Sequence, residues 1–225
     1  MFYNFNIMSI KMQLKIVFFL LLISTPILSQ KKVMKKFETP LKALEISTHG
    51  VDSFVIENSE SNFVEVYLFA ENITKQHILY KEEFNTLKIQ FEIPDSMPES
   101  KMFRKFITER LQRASVVLKV PRNKQITVFG DEINIEAKSY KGDLNIFIEK
   151  GILKLGTIFA NLEVKMYAGN LSAVVNNANV DVVSKEGKIK INDILFEKTY
   201  QKRIEKFYKK VRVNSVKANI FLTAE

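Results

Sequence analysis

The chain has 225 residues, a formal charge of +9 from 34 Lys and Arg against 25 Asp and Glu, and neither Cys nor Trp. The missing Cys excludes disulfides, thiolate metal sites and a thiol nucleophile, so stability must come from packing and backbone ladders. A hydrophobic share of 46% suffices for one extended domain or two small ones.

In chain order, Lys11 and Lys15 precede the apolar run 16–23 and the small residues Ser24, Thr25 and Ser29. A basic flank, a short greasy core and a small residue at the cut predict a secretory signal peptide over residues 1–29, too short to span a bilayer comfortably. Export through the general secretory route follows, to the periplasm, the outer surface or the extracellular space. Residues 30–40 read as a basic tether. Alternating apolar residues then predict strands at 43–47, 51–57, 63–70, 78–80 and 86–93, with turns at Gly50 and in the polar cluster 58–62. Pro94 and Pro98 break the strands. From 99 to 113, Met102, Phe103, Phe106, Ile107 and Leu111 recur at helical spacing, predicting one short amphipathic helix. Residues 41–121 are thus expected to form irregular β coils carrying a helical insertion.

From Gln125 to Phe196 the sequence runs in eight nine-residue units without a break of frame. The second residue of each is aliphatic: Ile126, Ile135, Leu144, Leu153, Leu162, Leu171, Val180 and Ile189. Two places on, all are again apolar: Val128, Ala137, Ile146, Leu155, Val164, Ala173, Val182 and Ile191. Polar residues separate each pair, giving an apolar-polar-apolar triplet, the mark of a strand with one buried face. Small residues such as Gly142, Gly151, Ala160 and Gly169 close most units and let the backbone turn. Strand plus corner at a fixed period predicts a β-solenoid: an all-β, right-handed parallel β-helix over residues 122–225. A shift of 27 aligns Lys138 with Lys165, Tyr140 with Tyr167 and Leu144 with Leu171, whereas a shift of 18 recovers mainly the core and corner positions, which favours three sides per turn over two. After Asp193 a basic loop, 195–210, interrupts the frame, and Val211, Val213, Ile220 and Leu222 resume it as the last strand.

Recurring Asn134, Asn161, Asn170 and Asn179 open four of the units and are expected to form amide ladders along the repeat. A calcium-binding nonapeptide roll would need paired glycines and a recurring Asp, which the units lack, so no metal and no cofactor is expected.

Charge gathers in the two insertions. Residues 101–113 hold five basic residues against Glu109, and 195–212 hold seven against Glu197 and Glu205. Two readings stand: solvated surface, or contact with an anionic polymer through Arg104, Lys105, Arg110, Arg113, Lys202, Arg203, Lys209 and Lys210. Phe129, Phe147, Val174 and Val183 occupy the place after the inward pair and should point outward. On a 27-residue turn Phe147 stacks on Val174, and Phe129 lines up with Val183 across Gly156. Such a stripe is either covered by the amino-terminal segments and the helix or left open as a binding face.

No catalytic residue is assigned. His49 and His77 lie outside any motif, Glu82–Glu83 and Asp131–Glu132 read as surface acids, and outward charges alternate without clustering as a sugar-cleaving site needs.

The strand S-V-V-L-K-V-P (115–121), Y-K-G-D-L-N-I (140–146), A-N-L-E-V-K-M-Y-A-G-N-L (160–171) and V-N-S-V-K-A-N-I-F-L (213–222) resemble the secreted "putative adhesin" β-strand-repeat proteins of Bacteroidetes-type bacteria. The resemblance implies a right-handed β-helix, export and no catalytic residues. The sequence therefore leads to a non-catalytic binding or adhesion module, with a surface glycan or an envelope protein as partner. A structural envelope component docked on an outer-membrane protein is the alternative, ahead of a polysaccharide-active enzyme. No nucleic acid is expected, and membrane contact only at the periphery.

Overall fold

A computed structural model of the chain describes residues 31–70, 77–93, 114–205 and 209–224. The signal peptide expected over 1–29 and the helix expected over 99–113 lie outside them. The described residues form sixteen strands and no helix. In chain order these are β1 (Lys31–Glu38), β2 (Ala43–Ser47), β3 (Ser53–Asn58), β4 (Phe63–Ala70), β5 (His77–Glu83), β6 (Thr86–Glu92), β7 (Ala114–Val120) and β8 (Gln125–Glu132). There follow β9 (Asn134–Ala137), β10 (Leu144–Ile158), β11 (Leu162–Val175), β12 (Asn179–Ser184), β13 (Ile189–Ile191), β14 (Ile194–Phe196), β15 (Thr199–Lys202) and β16 (Lys210–Ala224).

All sixteen residues assigned inward by the nine-residue frame are buried, the most accessible being Ala173 at 6%. They belong to one hydrophobic cluster that extends from Leu44 to Leu222. Each such aliphatic side chain removed from water stabilises the fold by about 1.5 to 3 kcal/mol. Parallel pairing stacks the triplets in register: Leu144 between Ile126 and Leu162, Leu153 between Ile135 and Leu171.

The three-sided parallel β-helix expected from the sequence is not what the chain builds. It forms one mixed sheet of sixteen strands, ordered β1-β4-β7-β3-β9-β10-β11-β16-β12-β15 along its main path. Three findings overturn the expectation. Paired residues in the repeat are 18 apart, as Leu144 and Leu162 are, and not 27. Neighbours do not follow the chain: β16 lies between β11 and β12, β2 between β6 and β8, and β3 between β7 and β9. Antiparallel pairs flank the parallel centre, β1 with β4, β4 with β7 and β5 with β6 toward one end, β12 with β15 and β13 with β14 toward the other. The reason is that the nonad fixes which side chains are buried, whereas backbone hydrogen bonds join any two strands of like pattern. The basic stretch after residue 30 is strand β1 along the edge, and part of the basic loop 195–210 folds back as β14 and β15.

Asparagines at the unit openings link successive rows. Asn134 Oδ1 accepts from the Ile152 N–H at 3.0 Å, Asn161 Nδ2 donates to Asp143 Oδ1 at 3.1 Å, and Asn219 Nδ2 donates to Asn170 Oδ1 at 3.0 Å. Corners stack as well, with Gly151, Gly169 and Ala218 in register. Gly169 has φ +128°, and a Cβ there would collide with the Gly151 carbonyl oxygen. The rows can approach this closely only because the corner carries no side chain.

Candidate binding face

Outward side chains of the central strands are aligned by the same register. One outward row runs Ser47, Phe129, Phe147, Lys165, Asn214 and Val183 across β2, β8, β10, β11, β16 and β12. The rings of Phe129 and Phe147 stack with centroids 5.4 Å apart and planes at 28°. Lys165 Nζ lies 5.2 Å from the Phe147 ring centroid and 3.0 Å from Glu163 Oε1. Beyond the row an open groove of about 530 Å³ is lined by Phe147, Glu149, Lys165, Tyr167, Asn214 and Val216 among others. Phe129 and Tyr167 are 42% and 45% exposed. Aromatic faces, an amide and charges of both signs thus share one wet groove, the mixture that holds a ligand with an apolar body and polar edges.

The expected stripe forms only in part. Phe129 and Phe147 are direct neighbours because the step is 18 residues, not separated as a 27-residue turn would place them. Val183 shares their row, but Lys165 and Asn214 stand between. Val174 is in another row, paired with Thr157 and Thr223 and lining a second groove of about 500 Å³ with Lys190, Asp193 and Phe221. Lys165 and Tyr167 are the residues the frame did not single out. They occupy outward places in A-N-L-E-V-K-M-Y-A-G, two residues apart on β11, and that alternation was their only signal.

Of the basic residues proposed to meet a polyanion, Arg104, Lys105, Arg110 and Arg113 lie outside the described residues. Lys209 is committed to structure: its ammonium donates to the Ile158 carbonyl at 2.9 Å, and burial pushes its pKa down. Lys202 lies on β15 and is half-buried, opposite Val180. Arg203 donates to the Val180 carbonyl at 3.1 Å and sits 3.7 Å from Asp181. Together with Lys210 and Arg212 it lines a smaller pocket of about 210 Å³, closed by Asn179 and Asp181. Arg212, absent from the expected set, is on β16 between Glu163 of β11 and Asp181 of β12.

His49 Nδ1 stands 3.6 Å from Asp131 Oδ2, both largely exposed to solvent. Among the described residues no group of three or more His, Cys, Asp or Glu converges as a metal site would require.

No protein-family model and no curated protein matches the chain. Among solved structures it is similar to a "putative cell adhesion protein" from Clostridium sporogenes, at 15% identity and a TM-score of 0.60, over 88% of this chain and 100% of that one. At that identity the likeness is one of fold. A "putative adhesin" from Bacteroides fragilis aligns over 88% of this chain and 98% of its own, at 13% identity and a TM-score of 0.29. Another from Parabacteroides merdae aligns over 87% and 96%, at 13% and 0.26. The chain thus shares its fold with a protein described as a putative cell adhesion protein.

Proposed function

We propose that this protein is an exported, non-catalytic binding module of the cell surface that holds a glycan against the Phe129–Phe147 row. The observation that carries this reading is the groove that a half-buried Phe147 shares with Lys165 and Tyr167, with the exposed Phe129 stacked on Phe147 beside it. A pyranose has an apolar C–H face and a polar rim. Laid on Phe147 and Tyr167, the face loses contact with water while the rim meets Lys165, Glu149 and Asn214. The fold likeness to a "putative cell adhesion protein" and the signal peptide expected from the sequence support the same reading. A glycan array probed with the mature chain tests it. Phe147→Ala is expected to weaken the best-bound glycan about tenfold, or roughly 1.4 kcal/mol, with the circular dichroism unchanged. Equal binding by the two proteins would remove the proposal. No turnover of uronic-acid polysaccharide is expected.

A second reading, docking on an envelope protein, is favoured by one observation. Ile194 and Leu195 on the short strand β14 are 62% and 66% exposed. Cross-linking through a residue beside them, followed by recovery of one outer-membrane protein, would favour it over the glycan.

A further inference from the structure

Strand β16 connects the aromatic groove to the small basic pocket. Its outward residues are, in succession, Lys210, Arg212 and Asn214. The first two line the pocket and Asn214 lines the groove. Arg212 and Asn214 are two residues apart on one strand, about 7 Å, which is within the reach of a single sugar residue.

The charges of the pocket are unbalanced. Among the described residues, Arg203, Lys210 and Arg212 face it against Asp181 alone. Asp181 is 3.7 Å from Arg203, and Glu163, on the far side of Arg212, is engaged by Lys165 at 3.0 Å. Arg203 is itself held in place by its bond to the Val180 carbonyl, and the pocket floor is fixed where Asn179 Oδ1 accepts from the Ile204 N–H at 2.7 Å. Two guanidinium groups and an ammonium around about 210 Å³ match the oxygens of one oxyanion, which planar Arg donors grip in pairs.

We propose that Arg203, Lys210 and Arg212 form an oxyanion subsite, taking the carboxylate or sulfate of an acidic sugar whose ring lies in the neighbouring aromatic groove. The inference rests on the glycan reading above and names the class of glycan: one with an anionic substituent on the sugar beside Asn214, at the end of the groove nearest the pocket. It also narrows the polyanion contact to residues on β16 and the turn after β15, since Lys209 is already bound to the Ile158 carbonyl.

The test is calorimetric titration of the full mature chain with three probes: a glucuronic-acid oligosaccharide, a neutral oligosaccharide of matching linkage and the same neutral chain sulfated. At least one acidic probe should bind more tightly than the neutral one. Arg212→Gln and, separately, Lys210→Gln should cancel that advantage, as should raising salt from about 0.05 to about 0.5 M. Which acidic probe gains identifies the oxyanion. Equal affinities for all three probes, or an advantage that survives Arg212→Gln in a folded protein, would overturn the subsite and leave the groove reading intact. Acidic probes that lose affinity in Arg212→Gln but not in Phe147→Ala would keep the subsite and remove the groove. No binding by any probe would remove both.

Discussion

The central strands and the amino-terminal strands are built from the same alternation, yet they finish their outward faces differently. Toward the amino terminus, Lys36, Glu65, Lys119 and Glu57 lie side by side across β1, β4, β7 and β3. Lys138 reaches Glu57 at 2.7 Å and Lys36 reaches Glu65 at 3.1 Å. The aromatic ring there is capped too: Tyr67 sits between Lys32 and Lys119, at 4.2 and 5.6 Å, and its hydroxyl donates to Glu65 at 2.6 Å. In the centre, Lys165 and Lys217 also approach the Phe147 and Tyr167 rings, at 5.2 and 5.7 Å, yet Phe129 and Tyr167 keep more than two fifths of their surface exposed. The difference teaches where each region meets the outside. β1 is an edge strand, and a lysine-rich, charge-paired edge resists pairing with another sheet. The central rows are paired on both sides, so their outward face is free to carry apolar rings without that hazard.

Three tests sharpen the contrast, from the largest effect to the smallest. Gly169→Ala puts a methyl into the Gly151 carbonyl at a left-handed φ, where neighbouring rows have no slack. A loss of roughly 2 to 4 kcal/mol in urea unfolding is expected, and a loss below half a kcal/mol would mean that the corners are not closely stacked.

The second uses two tyrosines that a 27-residue shift makes equivalent. Tyr140 is buried, with its hydroxyl donating toward the carbonyls of Lys124 at 3.0 Å and Pro121 at 3.2 Å, and burial pushes its pKa up. Tyr167 is exposed. Tyr140→Phe should cost about 1 kcal/mol, while Tyr167→Phe should leave the unfolding midpoint unchanged. Equal effects would erase the distinction between the two places.

The third probes the charged row. Hydrogen bonding from Lys138, with Lys119 beside it, holds the Glu57 carboxyl below its usual pKa. A folded-state pKa below the unfolded one stabilises the fold above the unfolded value, and the contribution fades as pH falls through the folded value. Glu57→Gln should therefore cost up to about 1 kcal/mol near neutrality. The two proteins should converge once the carboxyl is protonated, below the ordinary Glu range. A difference that persists in acid would show that packing, and not charge, is lost.

Much of the local structure was legible beforehand. The strands Ala43–Ser47 and Phe63–Ala70 were readable to the residue, because alternation of buried and exposed side chains needs only the strand itself. Half of the aromatic row was readable for the same reason: Phe129 and Phe147 were placed outward, and they are. Val174 was misplaced beside Phe147 because that step depended on the neighbour and not on the strand. The Arg203–Arg212 pocket was out of reach, since its residues come from β12, the turn after β15, and β16, brought together by a strand that enters the sheet out of chain order.

By itself the sequence determined which side chains of the nine-residue units are buried and where the strands of those units lie, since a triplet with one greasy face must hide it whatever lies alongside, whereas β1, β14 and β15 read only as tether and loop. Tertiary structure alone decided the 18-residue step, the entry of β16 between β11 and β12, the antiparallel flanks, and with them the contact of Phe129 with Phe147. The physical reason is that backbone N–H and C=O groups are alike in every strand. Repeated triplets offer many partners of equal pattern, and only corners, hairpins and the asparagine ladders of the folded chain choose among them.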